Sequence, residues 1–182
     1  IPTVEERGGR DWYETIPLSI IITQSAIITV CMQDTPVLHP FMEGTIRGFN
    51  TYMKTRFILQ ILYRNATMYL RYLRIIDRES DKLELKLRHS MQNREIVMLM
   101  ELSKTLVYFT TSLKSNEIVM EKLTTLQRIK QYPDDEDLLD DVITENKQAI
   151  EMANIYSGIL SGTMDAFASV ISNNPVSYTH LT

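Results

Sequence analysis

The sequence predicts an α+β fold that is predominantly α-helical, built from one β-hairpin, two long antiparallel helices and a further long helix. Three observations carry this. Two runs dense in Ile and Val, Leu18–Thr23 and Ala26–Met32, are separated only by Gln24 and Ser25, the pattern of adjacent antiparallel strands. Between Gly48 and Pro133 there are 84 residues without a Gly or a Pro. Beyond Pro133, apolar residues recur in alternating steps of four and three.

Taken in order, residues 1–15 (IPTVEERGGRDWYET) are polar with a Gly8-Gly9 break, and read as a loop. The hairpin at 18–32 is apolar enough to be buried on both faces, and is expected to supply the only strands. A two-stranded hairpin is not stable alone, so its remaining sheet is expected upstream. Opening on Ile rather than Met, the chain reads as an interior slice of a longer protein. Asp34-Thr35-Pro36 and His39-Pro40 mark a turn and a short helix start.

In the stretch without Gly or Pro, Phe57, Ile61, Met68, Tyr72, Ile75 and Ile76, continued by Leu83 and Leu87, keep helical spacing. A turn at Ser90–Asn93 then leads to Ile96, Leu99, Leu106, Phe109, Leu113, Met120 and Leu126. The spacing predicts helices over 49–89 and 94–130, each on the order of 50 Å long. A hairpin of that length must project. Asp134, Asp135, Glu136, Asp137, Asp140 and Asp141 place six carboxylates in eight residues, a composition favoured at a helix N-terminus. The third helix is expected over 136–174, for a helix content above about 60%. Its Leu139, Ile143, Asn146, Ile150, Ala153, Ser157, Leu160, Met164, Phe167 and Ile171 form a heptad seam. A second stripe, Asn154, Gly158, Ser161, Asp165, Ser169 and Ser172, is small and polar. It either faces solvent or lines a hydrated axis between subunits.

Composition excludes several functions. The 182 residues carry 19 basic and 23 acidic side chains, net −4, leaving no basic excess for nucleic acid. A lone Cys31 excludes an internal disulfide and a Cys-based zinc site. Ile16–Met32 is too short and too polar to span a bilayer. His39, His89 and His180 stand far apart, and neither a phosphate loop nor a nucleophile elbow is present, so no enzyme is expected. Asn65-Ala66-Thr67 is formally a glycosylation sequon.

Residues 73–87 (LRIIDRESDKLELKL), 99–123 (LMELSKTLVYFTTSLKSNEIVMEKL) and 131–174 (QYPDDEDLLDDVITENKQAIEMANIYSGILSGTMDAFASVISNN) resemble the CorA family of magnesium and cobalt transporters. The resemblance runs from about Leu18 to Asn174. It implies that residues 1–48 are the remnant of a cytoplasmic α/β/α domain and 49–130 a long antiparallel hairpin. Residues 131–174 would be a stalk helix leading towards the membrane. Residues 175–182 break the pattern and look like a non-native tail. Both transmembrane helices and the Gly-Met-Asn signature between them are absent from the sequence. The resemblance further implies the cytoplasmic, cation-sensing part of a homopentameric cell-membrane transporter of Mg2+ or Co2+. Asp141 matches a stalk aspartate of a regulatory cation half-site, with Asp140 and Asp137 on the same acidic turn. Asp165 matches a ring at the mouth of the pore. Carboxylates do not distinguish Mg2+, Co2+ and Zn2+ by ligand type, so a zinc-handling relative stays open, as does a helical protein-interaction scaffold.

Overall fold

The computed structural model describes residues 1–90, 92–127 and 132–173. Helix makes up 67% of the described residues. The elements in order are β1 (Pro2–Glu6), β2 (Asp11–Thr15), β3 (Leu18–Ile22), β4 (Ile27–Cys31), α1 (His39–Met42), α2 (Lys54–His89), α3 (Asn93–Thr124) and α4 (Pro133–Asn173). The non-native tail expected at 175–182, with His180, lies outside the described residues.

The first two strands correct the reading of residues 1–15 as a loop. β1 and β2 form an antiparallel hairpin with Glu6 opposite Asp11 and Pro2 opposite Thr15. Its turn places Gly8 at φ 60° and Gly9 at φ 78°, the two positive values that a tight hairpin turn needs and glycine supplies without strain. The acidic strands hid this hairpin, because its buried residues, Pro2, Thr3 and Tyr13, do not alternate with exposed ones along the strands. Tyr13 packs against Tyr72 with ring centroids 5.4 Å apart, and the Thr105 hydroxyl donates to the Tyr13 carbonyl at 3.2 Å. Those contacts fasten an otherwise marginal hairpin to the helices.

β3 and β4 pair as expected, Ile22 opposite Ile27 and Leu18 opposite Cys31, across a turn in which Thr23 Oγ1 accepts from the Ala26 N–H at 2.8 Å. Leu18, Ile20 and Cys31 pack on the core. Ile21, Ile28 and Val30 on the other face are exposed, so this chain covers one face and not both. The two hairpins remain separate sheets.

The helices set the shape. α2 starts at Lys54 rather than residue 49, because Gly48 takes φ 70° and residues 51–52 turn. α3 ends at Thr124 rather than residue 130, and residues 128–130 lie outside the described ones, as does Met91 in the expected Ser90–Asn93 turn. Proline opens α4 at its first position, where no N–H is required. α4 then runs unbroken through Gly158 and Gly162.

α4 lies along the α2–α3 hairpin. Arg56 meets Asp135 near one end, and Thr163 donates to Glu84 at 3.4 Å towards the other. The expected two-helix projection is therefore a three-helix bundle, with α2 and α4 parallel and α3 antiparallel to both. By length and composition α3 could also cross a membrane, with a mean hydropathy of 1.2 over an 18-residue window. Here its Leu99, Leu106, Phe109, Leu113 and Met120 are buried in the bundle.

The heptad seam is rotated from the expected one. Leu139, Asn146, Ala153 and Leu160 are buried as expected. The alternate positions filled from inside are Val142 and Ala149, while Ile143 and Ile150 sit half-buried on the flank and Ile171 is exposed. Small Ala149 and Ala153 let α4 settle deep in the groove between two helices, and a groove needs a broader face than a two-helix seam. Extended backwards by one step of four, the observed seam reaches Asp135, which explains why that carboxylate is buried.

Candidate functional site

The acidic start of α4 is the first place where residues of one kind are put to different uses. Six carboxylates crowd two turns of helix whose free N–H groups favour negative charge. Helical geometry then sorts them. Asp135, on the seam, is 1% exposed. Its Oδ1 accepts from Arg56 of α2 at 3.5 Å, with Asp134 at 4.0 Å from the same guanidinium. Burial pushes the Asp135 carboxyl above its ordinary value, Arg56 opposes that rise, and neighbouring Asp134 adds to it. The sequence reading missed the Arg56–Asp135 clamp. Its available signal was the continuation of the four-three spacing back through Leu139.

Asp137, Asp140 and Asp141 are exposed. Steps of three and four place them on one side of α4, with neighbouring Cβ atoms about 5–6 Å apart. Among the described residues, the ion pairs of the acidic turn are made by Asp134 and Asp135. Asp137, Asp140 and Asp141 thus keep their oxygens directed at solvent. Mg2+ retains most of its water and takes one or two protein carboxylates, a demand this side of the helix can meet in part. Among the described residues no group of three or more His, Cys, Asp or Glu is arranged to hold a metal ion, so α4 offers at most a fraction of a coordination shell.

Asp165 sits apart from that turn. A separation of 24 positions along continuous helix puts Asp141 and Asp165 about 36 Å apart. One ion cannot serve both. Asp165 lies in the stripe Asn154, Gly158, Ser161, Ser169 and Ser172, and all six are exposed. A methyl group added at Gly158 or Gly162 would meet nothing within 4 Å. The stripe is therefore an uncovered surface of the bundle, next to exposed Ile155 and Ile159. The sequon residue Asn65 is buried inside α2, where no glycan could be attached in the folded chain.

Fold and site together define a class: a long three-helix rod headed by β-hairpins, with free carboxylates at one helix start and a small polar stripe along an open side. The sequence model of the CorA-like Mg2+ transporter protein family matches residues 1–175, and the chain belongs to that family. The match reaches residue 1, so the β1–β2 hairpin is part of the family domain. No curated protein sequence matches the chain. The soluble domain of CorA from Methanocaldococcus jannaschii superposes with a TM-score of 0.68 at 24% identity, over 93% of this chain and 74% of that one. The complete CorA magnesium transporter of the same organism gives 0.68 at 22% identity, over 94% of this chain and 59% of that one. At those identities the likeness is one of fold. The family is one of membrane transporters of Mg2+, not of enzymes.

Proposed function

We propose that this chain is the cytoplasmic, cation-sensing part of a CorA-like divalent-cation transporter, with residues 1–48 as a partial α/β domain, 49–130 as the helical hairpin and 131–174 as the stalk. The reading is carried by one observation. Of the six carboxylates at the start of α4, Asp135 is spent on Arg56, while Asp137, Asp140 and Asp141 share an exposed, unpaired side. In this reading a regulatory Mg2+ binds Asp141, assisted by Asp140 and Asp137, and a neighbouring subunit supplies the other half of the site. Five subunits surround an axis lined by the small polar stripe, with Asp165 forming a ring near the mouth of the pore. Co2+ and Zn2+ are competing occupants of the same oxygen ligands.

The mechanism is electrostatic. A bound cation offsets the repulsion between carboxylates brought together at a subunit boundary, and its loss leaves like charges facing one another in a medium less screening than bulk water. The closed arrangement is then favoured when cytoplasmic Mg2+ is high, and the open one when it falls. The test uses the full-length transporter carrying Asp141→Asn or Asp141→Lys, with protection from proteolysis titrated against Mg2+, Co2+ and Zn2+. Lysine is expected to supply the closing charge itself and flatten the Mg2+ dependence, and asparagine to shift it to higher concentration. Wild-type dependence in both variants overturns the assignment to Asp141.

A further inference from the structure

The register of the bundle sets three asparagines, one from each long helix, at nearly the same level. Tyr69 of α2 and Ser112 of α3 share a hydrogen bond of 2.6 Å. Because these helices are antiparallel, four residues back from Tyr69 and four on from Ser112 puts Asn65 opposite Asn116. Between α2 and α4 the register is constant. Arg56 meets Asp135 and Glu84 meets Thr163, both at a separation of 79 residues. Asn65 is therefore level with residue 144, within a turn of Asn146. The Asn146 Nδ2 donates to the Leu113 carbonyl at 3.1 Å, one turn from Asn116 on α3.

These side chains face inward. Asn146 is 0% exposed and Asn65 2%, and Asn116 lies between buried Leu113 and Met120 on the inner stripe of α3. Yet three of their polar atoms are buried without a partner among the described residues: Asn65 Oδ1, Asn146 Oδ1 and Asn116 Nδ2. Two are acceptors and one is a donor. Leaving each so would cost a desolvation penalty. One water molecule matches the set, donating to both oxygens and accepting from the nitrogen, and about three bonds is typical of a buried water.

We propose that Asn65, Asn116 and Asn146 form a single buried polar layer, closed by a bound water, that locks the axial register of α4 on α2 and α3. The apolar seam cannot do this alone. Leu139, Ala153 and Leu160 recur at heptad spacing, so a shift of seven residues would replace one apolar contact with another. The same shift would carry Asn146 away from its partners and leave buried amides unmatched, the way a single polar residue selects register in coiled coils. It follows that α4 cannot slide as a piston in this bundle. Any displacement passed along it moves α2, α3 and α4 as one body.

The test takes the full-length protein with Cys31→Ser and any further cysteines removed. Leucine has the same branched heavy-atom skeleton as asparagine without its hydrogen-bonding groups. Each single Asn→Leu change strands the other two amides, and is expected to lower Tm by about 3–6 °C. The triple Asn65→Leu, Asn116→Leu, Asn146→Leu variant is expected to melt at or above the wild-type temperature, since no amide is left unmatched. Register is read by disulfide trapping. Glu84→Cys with Thr163→Cys reports the native alignment, and Glu84→Cys with Val170→Cys reports a slip of one heptad. The slipped pair should cross-link at least about tenfold more in the triple variant than in the background with all three asparagines. Single losses that add up in the triple variant, including outright failure to fold, overturn the proposal, because independent amides would behave that way. A triple variant trapped solely in the native register overturns it as well.

Discussion

Replacing Arg56 by methionine isolates what the inward-facing carboxylate does for the bundle. The substitution keeps most of the aliphatic stem and removes the charge that faces Asp135 at 3.5 Å. At an effective dielectric near 20, two unit charges at that separation attract by about 5 kcal/mol. Arg56 keeps 28% of its side chain in solvent, and the contact is long for a charged hydrogen bond, so a net loss of about 2–3 kcal/mol is expected. For a chain of this size that lowers Tm by about 4–12 °C. The pH dependence has a definite sign. Burial already raises the Asp135 carboxyl and Arg56 pulls it down, so removing Arg56 raises it further. A carboxyl raised in the folded state contributes its stability below the ordinary value near 4, and loses it as pH climbs through the folded value. The Arg56→Met deficit should therefore be larger at pH 7 than at pH 5, because lowering the pH towards the raised Asp135 value favours the neutral, less costly form of the buried carboxyl. Adding Asp135→Leu should restore the melt at pH 7, because a buried pair replaced by apolar residues is often neutral or stabilising. Circular dichroism melts of the wild type, Arg56→Met and the Arg56→Met, Asp135→Leu double variant at the two pH values check this. An Arg56→Met melt equal to wild type at pH 7, or no recovery on adding Asp135→Leu, would refute the clamp.

Leu160→Asp, at 1% exposure on the seam, should cost several kcal/mol, whereas Ile150→Asp on the half-buried flank should cost less; equal losses in chemical denaturation would restore the seam expected from spacing alone. Gly158→Ala and Gly162→Ala meet no atoms within 4 Å, so each should raise the stability of the isolated chain by up to about 1 kcal/mol; a fall in its Tm would show the stripe to be packed. Burial, reinforced by the charges of Asp11 and Glu79, pushes the Tyr13 hydroxyl up to about 12, so the chain should lose stability between pH 10 and 12 as unfolded tyrosine ionises first; Tyr13→Phe should reduce that loss in alkaline melts.

The parts of the fold legible in the sequence were those where a single surface decides the pattern. β3 and β4 are dense in Ile and Val, and no Gly or Pro interrupts α2 or α3, so their type and order could be read directly. β1 and β2 were not legible because a few buried residues, Pro2, Thr3 and Tyr13, and a Gly-Gly turn carry a hairpin whose other residues are mostly polar. The seam of α4 was legible in period but not in phase. Ile143 and Ile150 are more apolar than Ala149, yet a helix resting between two others buries its smallest residues deepest. For the acidic turn, composition gave the cluster and could not divide it. That division depends on Arg56, 79 residues away, whose charge is just one of 19 basic side chains in the sequence.

This division bears on how a cation could act through the bundle. Asp135 and Asp141 are six residues apart on one helix, so they project in clearly different directions: the first is held by α2 and the second is left to solvent. An ion taken up at Asp141, as proposed, adds positive charge near the start of α4, where the helix dipole already presents a partial positive charge. That addition favours the ionised form of Asp135, and because Asp141 lies on another side of the helix the ion does not displace Arg56 from it. The inner clamp would thus stay in place whether the outer cation is bound or lost. With the clamp at one end, the Glu84–Thr163 contact towards the other and the asparagine layer between them, the three helices have no low-cost way to shear. In the proposed reading, a signal that begins at the acidic turn would reach Asp165, about 36 Å along α4, as a tilt of the whole rod.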